Sequence, residues 1–194
     1  MANLHALHSV GASLVTNLRN TYPNDLRVAH PCEFRLFSSG EMGRTEERGT
    51  TLSLYLYRVT MNEHLRNLRR VNESSDVEAP LSVDLHFLLT VWADNALAEQ
   101  VILAWAMRQL HQRPVLDQST LSPEGGWESG DIVHLIPAEL SHEDLMRIWD
   151  ALEPSYRLSL SYVARVVRID PDPSPIGLPV VARNLVFAGP EVTR

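Results

Sequence analysis

Residues 81–92 read Leu81-Ser82-Val83-Asp84-Leu85-His86-Phe87-Leu88-Leu89-Thr90-Val91-Trp92. Leu81, Val83, Leu85, Phe87, Leu89 and Val91 recur at every second position, the period of an extended chain. One unbroken apolar face predicts the strongest strand of the protein here. Asp84 and His86 fall together on the opposite side. Just downstream, Asp94 is placed to cap a helix over 95–111. That helix carries Leu97, Val101, Ile102, Ala104, Trp105, Met107 and Leu110. Apolar residues surround most of its circumference, so it is expected to be deeply buried or shared with a partner. Pro114 stops it.

On the N-terminal side, residues 51–60 alternate as well, with Leu52, Leu54 and Leu56 against Tyr55, Tyr57 and Val59. Both faces carry apolar weight, which predicts a strand covered on both sides. The polar, glycine-containing stretch 38–50 reads as a loop leading into it. A strand over 27–37, interrupted near Pro31, is expected at a sheet edge or bulge, because proline removes a ladder donor. Residues 3–21 place Leu4, Leu7, Gly11, Leu14, Val15 and Leu18 on one helical face, and Pro23-Asn24-Asp25 ends that helix. Residues 62–79 carry Arg66, Arg69 and Arg70 and then Glu73, Asp76 and Glu78, the composition of a solvated face.

On the C-terminal side, a loop over 118–130 precedes a short strand at 131–136. Ser141 with Asp144 forms a helix start, and Leu145, Ile148, Trp149 and Leu152 point inward up to Pro154. Residues 156–169 form a long strand with Leu158, Leu160, Tyr162, Ala164 and Val166 on one face. Four prolines, at 171, 173, 175 and 179, then forbid a central strand or helix. A linker over 170–178 is expected, followed by an apolar stretch with Val180, Val181, Leu185, Val186 and Phe187. The fold class is therefore α+β: one mixed, mainly antiparallel sheet packed by two or three helices. The division is a domain over 1–169 and a Pro-rich linker with a C-terminal arm over 170–194.

Composition sets limits on function. The chain has 194 residues, 44% of them hydrophobic, and a net charge of −7. A nucleic-acid binder normally needs a basic surface to displace counterions, so that class is disfavoured. No apolar run reaches the roughly 18–20 residues of a membrane span, and Met1–His5 shows no secretory signal pattern. Direct membrane insertion is not expected. Cys32 is the single cysteine and reads as a half-buried thiol, so no internal disulfide is available.

Candidate chemistry is sparse. All 17 basic residues are arginine. Without lysine neither a phosphate-binding P-loop nor Schiff-base chemistry is possible. His5 and His8 share a helix, but no third ligand follows at a metal-site spacing. Asp84 beside His86 has the form of a base with its orienting acid, against which stands a polar sheet face or interface contact. No catalytic residue, metal ligand or cofactor is assigned. Trp127, in a Gly-rich loop, is expected to be an exposed interface residue, together with Val180, Val181, Leu185, Val186 and Phe187.

Three strings carry a resemblance: Leu52-Ser53-Leu54-Tyr55-Leu56-Tyr57-Arg58-Val59 with Asn62 and Arg66-Asn67; Ala79 through Ala93 with Leu110-His111 and Pro114-Val115-Leu116; and Leu145–Trp149, Leu152, Tyr156–Tyr162 with Arg165–Ile169. Over residues 4–170 the chain resembles the N-terminal domain of cap or terminator proteins of extracellular contractile injection systems, which are phage-tail-like particles. The resemblance implies a terminator-like α/β sandwich and a hexameric ring on the distal end of the inner tube and contractile sheath. Such a ring limits length and anchors the last sheath layer. Its partners are further copies of itself and the sheath and tube proteins, with no catalytic residue implied. Assembly is expected in the cytoplasm, and the missing signal peptide fits retention of the particle or its release on lysis alike. The rival readings are an adaptor that binds cargo or another particle component, and a soluble enzyme built around residues such as Asp84 and His86. Segment 179–188 is expected to act as a strand-adding arm or to cover a free sheet edge.

Overall fold

The computed structural model describes residues 2–43, 49–64, 79–152 and 155–171. The elements follow in the order α1 (Ala6–Thr21), α2 (Asn24–Ala29), β1 (Glu33–Phe37), α3 (Ser39–Met42), β2 (Thr51–Met61), β3 (Leu81–Trp92), α4 (Ala96–Gln112), β4 (Val115–Leu116), a 3-10 turn at Pro123–Gly125, β5 (Val133–Ala138), α5 (His142–Asp150) and β6 (Ser159–Ile169). The strands form one sheet in the order β1-β2-β3-β6-β5-β4. Among the described residues only β1 and β2 pair in parallel, and every other neighbour is antiparallel.

The strand over 81–92 is β3, and it sits at the centre with both faces covered. Leu85, Phe87, Leu89 and Val91 are fully buried on one face and Leu88 on the other. Each such side chain contributes roughly 1.5–3 kcal/mol of burial. On the first face, α1 brings Val10, Leu14 and Leu18, and α4 brings Ile102, Leu103 and Trp105, into one core with those β3 residues. Tyr22 stacks edge-on against Trp105 at 4.8 Å and Phe34 at 5.1 Å, tying the end of α1 to β1 and α4. Gly11 lets α1 approach β1 closely: a Cβ there would lie 2.9 Å from Leu36 Cδ1. On the second face, Met42 of α3 and Trp149 of α5 pack with Phe37, Leu88, Trp92 and Leu152.

Several expectations shift. The strand over 27–37 splits: Asn24–Ala29 forms a helical turn, and only Glu33–Phe37 is extended. Pro23 lacks an N–H and sits just outside that turn, with Asp25 at its positive end. β1 is an edge strand, as the proline suggested. The loop over 38–50 contains α3, closed by a capping box between Ser38 and Glu41. The cap of α4 is Asn95, whose Oδ1 accepts the Ala98 N–H at 2.9 Å, one residue beyond Asp94. In β6 the register slips: Ala164 faces Leu85, but Val167 faces Val83, so Val167 and not Val166 enters the core. The linker at 172–178, the arm at 179–188 and most of 62–79 lie outside the described residues.

Candidate functional site

The second sheet face is half covered. At the α5 end its polar groups are paired across strands. Trp92 Nε1 donates to Ser53 Oγ at 2.7 Å, and Thr90 Oγ1 and Ser159 Oγ share a hydrogen bond of 2.8 Å. Further along, Arg58, Thr60, Asp84 and His86 come to the same face, because Arg58 pairs with His86 and Thr60 with Asp84 in the β2–β3 register. The register slip at Leu56/Arg58 makes this possible.

This is where the proposed Asp84–His86 chemistry would sit, and the two side chains take separate partners. His86 Nε2 lies 2.9 Å from Thr60 Oγ1, with the Tyr57 ring 6.0 Å away. Asp84 accepts from Asn62 Nδ2 at 3.0 Å and from Arg165 at 3.5 Å. Burial lowers the His86 pKa, and Arg58 and Arg165 lower it further against the opposing pull of Asp84. Its surroundings therefore favour the neutral imidazole. The arrangement is a satisfied polar patch on a sheet. A groove of about 360 Å³ beside it is lined by residues including Asp131, Ile132, His134, Arg165 and Arg168. Cys32 is half-buried, and burial pushes its thiol up to about 12, which disfavours the nucleophilic thiolate. Among the described residues no group of three His, Cys, Asp or Glu side chains is placed to hold a metal ion.

Trp127 corrects an expectation. It is buried at 9% exposure, and its indole N–H donates to Ser9 Oγ at 2.8 Å. Ser9 Oγ donates in turn to the Ser122 carbonyl, and Ser13 Oγ accepts the Ser122 N–H. The glycines around it serve close packing: a Cβ on Gly125 would collide with the Trp127 ring, and Gly126 adopts φ 68°. The loop is folded onto α1, so this tryptophan is not the exposed anchor that its loop composition suggested. Val180, Val181, Leu185, Val186 and Phe187 lie outside the described residues.

Exposed apolar side chains lie elsewhere. Val59, Met61 and Leu81 are 44%, 52% and 44% exposed at one end of β2 and β3, and Leu97 and Met107 are exposed on α4. The α4 sequence hinted at this by being apolar around most of its circumference. Val59 belongs to the alternating stretch 51–60 and Met61 lies one residue beyond it, and nothing local marks which end of the strand lacks cover. No helix among the described residues is long and apolar enough to cross a membrane.

Polar groups paired within the chain, open sheet edges and exposed apolar side chains define a protein with surfaces for packing and no assembled reactive centre among the described residues. A model of the Pvc16 N-terminal domain matches residues 9–183, and the chain belongs to that family. Two solved structures share the fold. One is the sheath/tube terminator, in its extended state, of the extracellular contractile injection system PVC, at 18% identity and TM-score 0.56. The match covers 94% of this chain and 64% of that one. The other is the tube-terminating cap of the anti-feeding prophage, at 18% identity and TM-score 0.58, covering 92% of this chain and 60% of that one. The chain thus spans less than two thirds of the length of these relatives. No curated protein sequence matches it.

Proposed function

We propose that the protein is a non-enzymatic cap or terminator subunit, closing the distal end of the tube and sheath of a phage-tail-like contractile injection particle. The observation that carries this reading is the family match over residues 9–183, with a fold shared with two terminators. The strings resembling that family include β3, the central strand of the sheet, so the resemblance and the core coincide. In this reading copies of the chain form a hexameric ring. The ring meets the last layer of sheath and tube, limits their length and anchors the sheath. Assembly takes place in the cytoplasm. The separate partners of Asp84 and His86 weigh against the enzyme alternative. No observation among the described residues favours a cargo adaptor.

Negative-stain microscopy of particles from a strain lacking the gene tests this. Tubes and sheaths of scattered length, or their absence, are expected. Particles of normal length that still contract would overturn the terminator role.

A further inference from the structure

The outer edge of β2 is only partly occupied. β1 pairs with Thr51–Tyr55 and no further, because the chain turns away after Phe37 into α3. From Leu56 to Met61, β2 pairs with β3 on one side, and among the described residues no strand pairs with the other. This stretch carries exposed Val59 and Met61, with Leu81 exposed on the same sheet face of neighbouring β3. An open edge with uncovered apolar side chains is a template for strand addition, and folded proteins normally cover or blunt it.

The last described residues point to the occupant. Ile169, at the end of β6, pairs with Leu81 at the start of β3, while Met61, at the end of β2, pairs with Val83. The Asp170 N–H then donates to the Ala2 carbonyl. The chain therefore leaves the sheet at the end where the open edge of β2 terminates. A strand beside β2 would lie three spacings from β6, about 14 Å. Residues 172–178 span up to about 23 Å when extended, so the following segment reaches the edge within one chain. Direction also agrees: a chain turning back after β6 runs antiparallel to β6, and hence antiparallel to β2. In an extended segment that starts with Pro179 opposite Met61, Val181 falls beside Val59 on the same sheet face. The family match itself continues past β6 to residue 183.

We propose that the segment 179–184 docks in cis as an additional antiparallel strand on the open edge Leu56–Met61 of its own β2. The inference does not depend on the terminator reading, and each can fail alone. Pro179 stands at the start of this strand, where its missing N–H removes no ladder bond. The docked strand turns a sticky edge into a paired one and moves the exposed edge to itself.

Amide hydrogen exchange tests the docking. The full chain is compared with a chain ending at Pro171, with β3 amides at Leu85–Leu89 as the internal check that the fold persists. Those amides of Leu56–Met61 that point away from β3 are expected to exchange at least about tenfold faster in the shortened chain. Equal rates with β3 still protected would overturn the proposal. Should the shortened chain lose β3 protection, Val59→Cys with Val181→Cys in a Cys32→Ser background, joined by a short bismaleimide, decides the matter. A cross-link within one chain supports docking in cis. A cross-link between two chains, or none, overturns it.

Discussion

Trp127 and Trp149 are both buried, yet their indole N–H groups meet different fates. Trp127 donates to Ser9, whereas Trp149 Nε1 finds no partner among the described residues. Phenylalanine keeps most of either ring. Trp127→Phe is expected to cost about 1–2 kcal/mol, because a buried acceptor loses its donor and a partial cavity opens. Trp149→Phe is expected to cost less than that, since the desolvated N–H disappears along with the lost volume. Chemical denaturation of the two variants checks the order. The same scale holds a pH prediction. His86 has a folded pKa below its unfolded value, so between those values the unfolded chain binds more protons. Its contribution to stability is fully present above about pH 6.5, the unfolded value. It is lost as pH falls through that value toward the lower folded one. His86→Gln keeps a hydrogen-bonding group near Thr60 but cannot take up the proton. Its Tm is expected to fall less than the parent's between about pH 7 and pH 5. Parallel curves for the two proteins would show that His86 is not the group responsible. Residue types were legible here and partners were not. Asp84 and His86 were correctly placed on one face, but Asn62, Thr60 and Arg165 reach them through two register slips that no spacing rule announces.

At the scale of elements, strong periodicity survived, the short strand expected at 131–136 is present as β5, and the shortest elements went unread. β3, α4 and α5 lie where alternation and helical spacing put them, and Ser141 caps α5 by accepting the Asp144 N–H. The two-residue β4 carries too little pattern to be seen, since its pairing with β5 is decided by tertiary contact. α3 is different, because its signal was present. Ser38 and Glu41 have the spacing of a capping box, but only four helical residues follow, too few for an apolar period to show. That box matters for packing, since α3 carries the fully buried Met42 into the second core. Glu41 Oε2 accepts from the Ser38 N–H at 2.9 Å, and Ser38 Oγ accepts the Glu41 N–H. Ser38→Ala is expected to cost about 1 kcal/mol, as a lost N-cap does. Ser39→Ala, one residue along and outside the box, is expected to change stability by less than about 0.5 kcal/mol. Equal urea midpoints for the two variants would show that the box contributes nothing to holding α3.

At the scale of the molecule, the two cores lie on opposite faces of the same sheet, and β3 contributes to both. Leu85, Phe87 and Leu89 belong to the core under α1 and α4, and Leu88 and Trp92 to the core under α3 and α5. Neither layer can leave without exposing β3, which pairs with β2 on one side and β6 on the other. Stripping off α3 and α5 alone would uncover Leu88, Trp92 and Ser53 while leaving the sheet's other face packed, so partial unfolding from that side carries a large apolar cost. Unfolding is therefore expected to be a single cooperative transition. The tryptophans provide a test, because Trp105 and Trp127 report on the first core while Trp92 and Trp149 report on the second. Two variants, Trp105→Phe/Trp127→Phe and Trp149→Phe, shift the fluorescence toward one core or the other. In each variant the urea midpoint by fluorescence is expected to match that by far-UV circular dichroism. A fluorescence transition that precedes the loss of circular dichroism only where Trp92 and Trp149 dominate would mean that the α3–α5 layer opens on its own. Shared use of β3 would then be insufficient to couple the two faces.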